Sequence, residues 1–286
     1  MKIKLKYFFQ PARSVRAVAR KLKSYFFQRR VGKELKNIKR GVRYHCWCGG
    51  SLKDFKSHKS YKVCSVCGSY VNIRPPLPEE FPKIYSFDFY WHLVQSSHGY
   101  PSIEERYKND RKDGRIDFWK KLIQKYAAQC KKIIEAGCAY GGLLYELQQE
   151  GYDVIGIEPD AKTADWAREK FNIDVKQGLF PDVNLPKCDL FLAFDVLEHS
   201  YKPAEFMKKV SDILNPGGIA IIQVPIDRYD FKPPFGERFD DIFNDVEHMF
   251  LFTDKAMEEL TKRAGLKIIN KDKLWLAAEI VIFQKN

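Results

Sequence analysis

Three groups of residues have the types and spacing for chemistry. The run Glu135-Ala136-Gly137-Cys138-Ala139-Tyr140-Gly141-Gly142 follows the apolar pair Ile133-Ile134. A glycine-rich turn after a strand lets the backbone approach a ligand with no Cβ in the way. Glu158 closes the apolar run Val154-Ile155-Gly156-Ile157 and lies 21 residues beyond Gly137. At that distance a doubly wound fold places the acid that accepts both ribose hydroxyls of an adenosine cofactor. Two acid–histidine pairs, Glu198-His199 and Glu247-His248, follow later in the chain. Histidine titrates closest to neutral pH, so either ring can take a proton from a reacting hydroxyl, with Glu198 or Glu247 fixing an imidazole.

The third group is Cys46-Trp47-Cys48 and Cys64-Ser65-Val66-Cys67, separated by 15 residues. Four thiolates around a tetrahedral Zn²⁺ make a closed, structural site. About 30 residues cannot build a core alone, and a metal would supply the missing folding free energy. The first pair has one intervening residue where two are usual, so His45 or His58 are alternatives to Cys46 or Cys48 as ligands.

Glu135 narrows the choice of cofactor. A carboxylate two residues before the first glycine would repel the pyrophosphate of a dinucleotide. It suits the cationic amino group and sulfonium of S-adenosylmethionine (SAM).

The elements that position these groups are legible in the apolar pattern. Short apolar runs at Lys131–Ala136, Asp153–Glu158, Ile173–Lys176, Asp189–Phe194 and Gly218–Val224 predict strands. Amphipathic stretches at Gly142–Glu150, Lys162–Phe171, Ala204–Leu214 and Lys255–Ala264 predict helices between them. Alternation of this kind means a parallel sheet covered on both faces. Leu266–Ile269 and Ala277–Phe283 have only a short connection between them, which favours an antiparallel hairpin at the end. Residues 84–130 read as helical and rich in aromatics, with Tyr90, His98 and Arg106 as candidates for substrate contact. The expected organisation is a tail (1–43), a cysteine-rich zinc-ribbon-like module (44–74), a proline-stiffened linker and helical lid (75–130), and a cofactor-binding domain (131–286).

The set E-A-G-C-A-Y-G, G-I-E-P, F-D-V-L-E-H (Phe194 to His199) and L-N-P-G-G (Leu214 to Gly218) resembles the class I SAM-dependent methyltransferases. It is most similar to the branch holding the ubiquinone-type O-methyltransferases and many bacterial sugar and polysaccharide methyltransferases. The resemblance covers about residues 84–286. It implies an α/β fold with a Rossmann-like seven-stranded sheet ending in the antiparallel hairpin. It also implies a SAM loop of Glu135, Gly137, Cys138, Ala139, Tyr140 and Gly141, with Glu158 on the ribose and Pro159 flanking the adenine. Leu179 and Phe180 would lie beside the adenine, and Asp195 and Val196 near the methionine portion. Ala139 stands where the family usually has its middle glycine. The trio Asp195, Glu198 and His199 matches the family's acid-x-x-Glu-His pattern, which offers an alternative role as a divalent metal site. A cysteine-rich module before a SAM domain is also similar to bacterial deoxysugar C-methyltransferases, which carry a further C-terminal domain.

Charge separates the remaining classes. The net charge is +12. Residues 1–43 hold 15 Lys and Arg against one acid, Glu34, which leaves 34 basic and 36 acidic residues elsewhere, a balance of −2. A nucleic-acid enzyme more often spreads Lys and Arg over the domain that grips its substrate. The basicity here is a tail, with Val15, Val18, Leu22 and Phe26 at helical spacing against Arg13, Arg16, Arg20 and Lys23. Such a helix expects an anionic membrane surface as its partner. No apolar run reaches the roughly 18–20 residues of a spanning helix, and the start lacks a secretory pattern. The paired cysteines favour a reducing compartment, so the expected location is the cytoplasm, peripheral at the inner face of the membrane. A mitochondrial presequence has similar chemistry. The expected function is O-methylation of a sugar hydroxyl in surface-polysaccharide or glycolipid assembly. The alternatives are a quinone or other small-molecule O-methyltransferase, an RNA methyltransferase, and a non-catalytic scaffold built on the zinc module.

Overall fold

The computed structural model describes residues 34–95, 102–227, 245–273 and 278–286. The expected amphipathic tail helix, most of the 1–43 segment and His98 lie outside the described residues.

Three short strands come first: β1 (Leu52–Asp54), β2 (Tyr61–Cys64) and β3 (Tyr70–Asn72), paired antiparallel in that order. A helical segment follows, with α1 (Phe81–Ile84), a wide turn of π-helix at Phe87–Gln95, α2 (Ile103–Lys112) and α3 (Arg115–Ala127). Then strands and helices alternate. They are β4 (Lys132–Ala136), α4 (Gly142–Gln149), β5 (Asp153–Glu158), α5 (Ala161–Phe171), β6 (Asp174–Gln177), β7 (Cys188–Phe194), α6 (Pro203–Ile213) and β8 (Leu214–Asp227). The chain ends with β9 (Phe250–Thr253), α7 (Asp254–Ala264), β10 (Leu266–Lys273) and β11 (Ala278–Lys285).

The helix boundaries follow local chemistry. The Asp160 carboxylate accepts from the Thr163 N–H at 2.8 Å and caps α5, and Asn172 ends it in the left-handed region. Thr253 Oγ1 caps α7 in the same way at the Ala256 N–H. A side-chain acceptor at this position satisfies an amide that has no partner within the helix.

The parallel strands are buried on both faces, as their apolar runs require. Along them Ile133, Leu190, Leu192 and Ile221 face one core, and Ile134, Phe191, Ala193 and Ile222 the other. β4 lies between β5 and β7, so chain order reverses there. The crevice beyond the strand ends at such a switch point is where open α/β sheets bind ligands. β11 runs antiparallel to β8, and β10 to β11, forming the hairpin edge.

β4 to β8 with β10 and β11 pair as seven strands, and β1, β2, β3 and β9 extend the ladder to eleven among the described residues. β8 runs on past β7, and its end, Ile226 and Asp227, pairs with β9 at Phe252 and Thr253. β9 in turn pairs with β3, Tyr70 opposite Leu251 and Val71 opposite Phe250. Strand pairing thus runs across the expected limit of the cysteine module, and Cys46, Cys64, Cys67 and Val71 share one apolar cluster with the sheet. None of these four short strands stands out in the sequence, because three or four residues are too few to establish a period of two. Among the described residues no helix is long and apolar enough to cross a membrane.

Candidate active site

A cavity of about 890 Å³ opens at the ends of β4, β5 and β7. Its floor is the loop after β4. There Gly137, Ala139 and Gly141 all take positive φ, at 66°, 52° and 75°. A Cβ at Gly137 would stand 2.7 Å from Val196 Cγ2, so only glycine lets the loop close against the segment after β7. Ala139 holds the same left-handed backbone at a steric cost that glycine would not carry.

Glu135 is buried, and its Oε2 has no hydrogen-bond partner. Burial pushes its carboxyl up to about 8. An orphaned buried carboxylate is costly unless a cation meets it. Glu158 is also pushed up to about 8 by burial. It accepts from the Ala139 N–H at 3.1 Å on one oxygen and from the Asp160 N–H at 3.1 Å on the other. The acid at the end of β5 therefore also ties down the turn after β4.

Cys138, Tyr140, Pro159, Leu179, Phe180, Asp195 and Val196 line this cavity with Glu135, Gly137, Ala139 and Glu158. Gly141 does not; it shapes the turn into α4. Tyr140 Oη donates to Asp110 on α2, which Arg106 Nε holds at 2.8 Å. The helical segment is thereby anchored to the loop, and Tyr90 and Arg106 reach the cavity wall. These residues fit SAM: an unpartnered carboxylate for its amino group, an acid for its ribose, and a backbone cradle that a Cβ would fill.

His199 stands in the cavity wall, with His248 beside it outside the lining. His199 and His248 lie with ring centroids 4.9 Å apart. His199 Nδ1 donates to the Glu247 carbonyl oxygen at 2.8 Å, which leaves Nε2 as the basic nitrogen. Burial, and then His248, push His199 down to about 3, against smaller upward effects of the Glu247 and Asp195 backbone. Its ring is neutral at pH 7, the state a proton acceptor needs. His199 lines the cavity and meets Tyr85 edge to face at 5.9 Å. Tyr85 Oη is buried with no partner.

Two expectations need correction. His199 Nδ1 is held by the Glu247 main-chain carbonyl rather than by either carboxylate, and Glu198 lies buried beside both histidines with an unpartnered Oε2. Burial, and then Asp195, push Glu198 well above the usual carboxylate range. Burial also raises Glu247 to about 7. The Asp195, Glu198 and His199 trio is not assembled either. Asp195 takes φ 56° and both its oxygens accept from Gln223 Nε2, at 2.8 and 2.9 Å. Glu198, His199 and His248 bring donor atoms within 4.8 Å of one another instead. Neither Glu198, Glu247 nor His248 lines the cavity itself.

Trp119 and Phe194 stack at 4.5 Å and form a flat wall of the cavity, with Arg115 and Gln223 beside them. Sequence reasoning does not single out Arg115 or Gln223. Gln223 sits inside an apolar strand, and nothing in the local pattern marks it as facing a ligand.

The four cysteines converge. Cys46 and Cys67 sulfurs are 3.6 Å apart, Cys48 and Cys64 3.4 Å, and all four lie within 4.8 Å. A tetrahedral zinc with 2.3 Å bonds spans about 3.8 Å between sulfurs, so the set fits. The Cys67 N–H points at Cys64 sulfur at 3.5 Å. The hydrogen bond from Cys46 pulls the Cys67 thiol down to about 5, while the same bond and burial push Cys46 up. His45 is exposed, and His58 accepts from the Ser60 N–H, so neither histidine joins the cluster.

The model of a family described as a methyltransferase domain matches residues 107–271. A candidate SAM-dependent methyltransferase of Mycolicibacterium smegmatis is 29% identical over 117 residues, 39% of this chain and 45% of the relative. One from Mycobacterium tuberculosis is 25% identical over 172 residues, 52% of this chain and 62% of the relative. A ubiquinone biosynthesis O-methyltransferase of Azorhizobium caulinodans is 29% identical over 99 residues, 32% of this chain and 39% of the relative. In each case the chain spans less than two thirds of the relative's own length. Among solved structures, a candidate O-methyltransferase from Nostoc punctiforme superposes with a TM-score of 0.52 at 16% identity, over 60% of this chain and 56% of its own.

Proposed function

We propose, from the premise that this chain belongs to the methyltransferase-domain family, that it is a SAM-dependent O-methyltransferase acting on a sugar hydroxyl in surface-polysaccharide or glycolipid assembly. The observation that carries the reading is the neutral His199, held through Nδ1, in the wall of a cavity that also holds the unpartnered Glu135. SAM, when bound, supplies a methyl group already activated by its sulfonium. Glu135 accepts the cofactor's amino group and Glu158 its ribose hydroxyls. His199 Nε2 would take the proton of the acceptor hydroxyl as the methyl carbon leaves the sulfonium sulfur for the acceptor oxygen, with S-adenosylhomocysteine as the leaving group, and the stacked Trp119 and Phe194 would hold the acceptor ring in line. The zinc-ribbon-like module holds one structural zinc on Cys46, Cys48, Cys64 and Cys67.

A quinol acceptor is the second reading. It is favoured by the aromatic walls and by the similarity to the Azorhizobium enzyme. The deciding experiment is an acceptor screen with methyl-labelled SAM, comparing nucleotide sugars, lipid-linked glycans and quinol precursors. Label in a glycan supports the first reading; label only in a quinol replaces it.

Two further outcomes are expected at the cofactor end. Glu158→Ala should weaken SAM binding by about 1.5–3 kcal/mol in calorimetry, the scale of hydrogen bonds to a charged group. Binding should also be linked to protons. Glu135 and Glu158 sit near 8 in the free protein, and contact with a cation and with hydroxyl donors favours their ionised forms. SAM binding below pH 8 should therefore release protons, and affinity should rise from pH 6 to 8 and then level off. The same groups lie above their ordinary value of 4.5, so their support of the free fold is complete below 4.5 and is lost as pH rises through 8. Calorimetry in two buffers of different ionisation enthalpy checks this; proton-neutral binding at pH 7 would count against Glu135 as the amino-group partner.

The tail of residues 1–43 holds the protein at an anionic membrane surface on the cytoplasmic side. Each Lys or Arg near such a surface contributes about 1 kcal/mol. The full chain should float with phosphatidylserine vesicles, and the chain lacking residues 1–43 should not.

A further inference from the structure

The cysteine module is bonded to the histidine site through one short stretch of main chain, residues 245–249. Three successive carbonyls of that stretch are taken up in sequence. The Glu247 carbonyl receives His199 Nδ1–H at 2.8 Å. The His248 carbonyl receives Tyr61 Oη at 2.8 Å and Asn72 Nδ2 at 3.2 Å. The Met249 carbonyl receives the Asn72 main-chain N–H at 3.1 Å and Arg43 Nη1 at 3.2 Å. Asn72 Nδ2 also donates to the Asp245 carbonyl at 2.8 Å, and Ser60 Oγ to the Asp245 carboxylate at 2.6 Å. From the other side, the Met249 N–H donates to the Glu198 carbonyl at 2.8 Å.

Tyr61 and Asn72 are directly opposed on β2 and β3, and both are buried. β2 ends at Cys64, and the turn between β2 and β3 carries Cys67. Thr253 Oγ1 on the far end of β9 donates to the Cys67 carbonyl at 2.6 Å. The four-cysteine cluster and the histidine pair are thus joined through β2 and β3 and the hydrogen bonds these strands make to residues 245–249.

We infer that Tyr61 and Asn72 are positioning residues for His199: they fix the 245–249 turn so that the Glu247 carbonyl sets the tautomer and orientation of the imidazole. The cysteine module is then the outer half of the active site, through the hydrogen bonds that Tyr61 and Asn72 make to this turn. The inference rests on His199 being the proton acceptor.

The test uses the full, zinc-loaded chain with S-adenosylhomocysteine bound. Tyr61→Phe removes one donor and keeps the ring. Asn72→Asp keeps the oxygen that accepts the Arg74 N–H at 3.0 Å and loses the amide donor. Histidine ¹H–¹⁵N spectra should show the His199 Nδ1–H signal shifted or exchange-broadened in both variants, assigned by its loss in His199→Ala. S-adenosylhomocysteine affinity and zinc content should stay at the wild-type level. With the acceptor found in the screen, kcat should fall on the order of tenfold at unchanged KM for SAM. An unmoved His199 signal in both variants would overturn the inference, as would a fall in kcat that tracks lost zinc. Full activity in His199→Ala refutes the proton-acceptor reading instead, and the spectra still report separately on the hydrogen-bond run.

Discussion

Replacing His199 with alanine is expected to lower kcat by about 10²–10⁴-fold, the usual range for losing a general base. This corresponds to about 2.7–5.4 kcal/mol of transition-state stabilisation. SAM affinity should stay within a few-fold, since Glu135 and Glu158, not His199, are the groups proposed to meet its amino group and ribose. Two features carry the effect. The His199 Nδ1 proton is committed to the Glu247 carbonyl, so the other nitrogen carries the lone pair. The ring lines the cavity and is held edge-on by Tyr85, so little orientation is lost on the way to the transition state. His248→Ala should cost less, because His248 supports His199 from behind and does not line the cavity. A divalent ion held by Glu198, His199 and His248 gives a different pattern. All three substitutions would then be comparably severe, and chelator would abolish turnover reversibly. Activity surviving His199→Ala within a few-fold would mean that alignment of acceptor and methyl group suffices without a base.

Purified protein should carry one zinc per chain, and Cys67→Ser should lose it together with a cooperative part of the fold. Structural zinc contributes about 10–16 kcal/mol in isolated finger-like peptides at neutral pH. The module here has few large apolar side chains of its own. Tyr61, Tyr70 and Leu251 form its small separate cluster, and Leu251 belongs to β9. Without the metal, the pairing of β3 with β9 and the bonds to residues 245–249 have nothing rigid behind them. The melting temperature should therefore drop. Hydrogen exchange should accelerate in residues 61–72 and 245–253 while β4, β5 and β7 stay protected. Elemental analysis, thermal melting and exchange on wild type and Cys67→Ser check this. A metal-free protein with four readily alkylated thiols and an unchanged melting temperature would remove zinc from the account.

The parts of the fold legible in sequence are those with long periodic signals. The apolar runs at 132–136, 153–158 and 188–194 correspond to β4, β5 and β7, because strands buried on both faces need nearly continuous apolar residues. β1, β2, β3 and β9 are too short for that signal, and their partners lie far off in sequence. Residues 70–71 pair with 250–251. The same distinction holds at the site. Glu135, Gly137 and Glu158 are marked by fixed spacing within one strand–turn–helix unit and the next strand, so local chemistry alone points to them. Arg115, Gln223, Tyr61 and Asn72 have no local mark, because what they do depends on which distant segment the fold lays against them.

By itself, the sequence determined the alternating α/β order, the carboxylates facing the cofactor loop, the cysteine tetrad and the two acid–histidine pairs. Each of these is written in contiguous residues whose types and spacing constrain the backbone directly. Only the tertiary structure decided that the two histidines lie side by side, 4.9 Å apart, although 48 residues separate them in the chain. It also decided that a main-chain carbonyl rather than a carboxylate orients His199, and that Asp195 turns to Gln223 instead of toward the histidines. Such choices depend on which backbone groups remain unpaired after the sheet has formed and on which side chains can reach them. The module's junction with the sheet is of the same kind: β9 offers an open edge, β3 supplies the matching strand, and only the folded chain brings the two together.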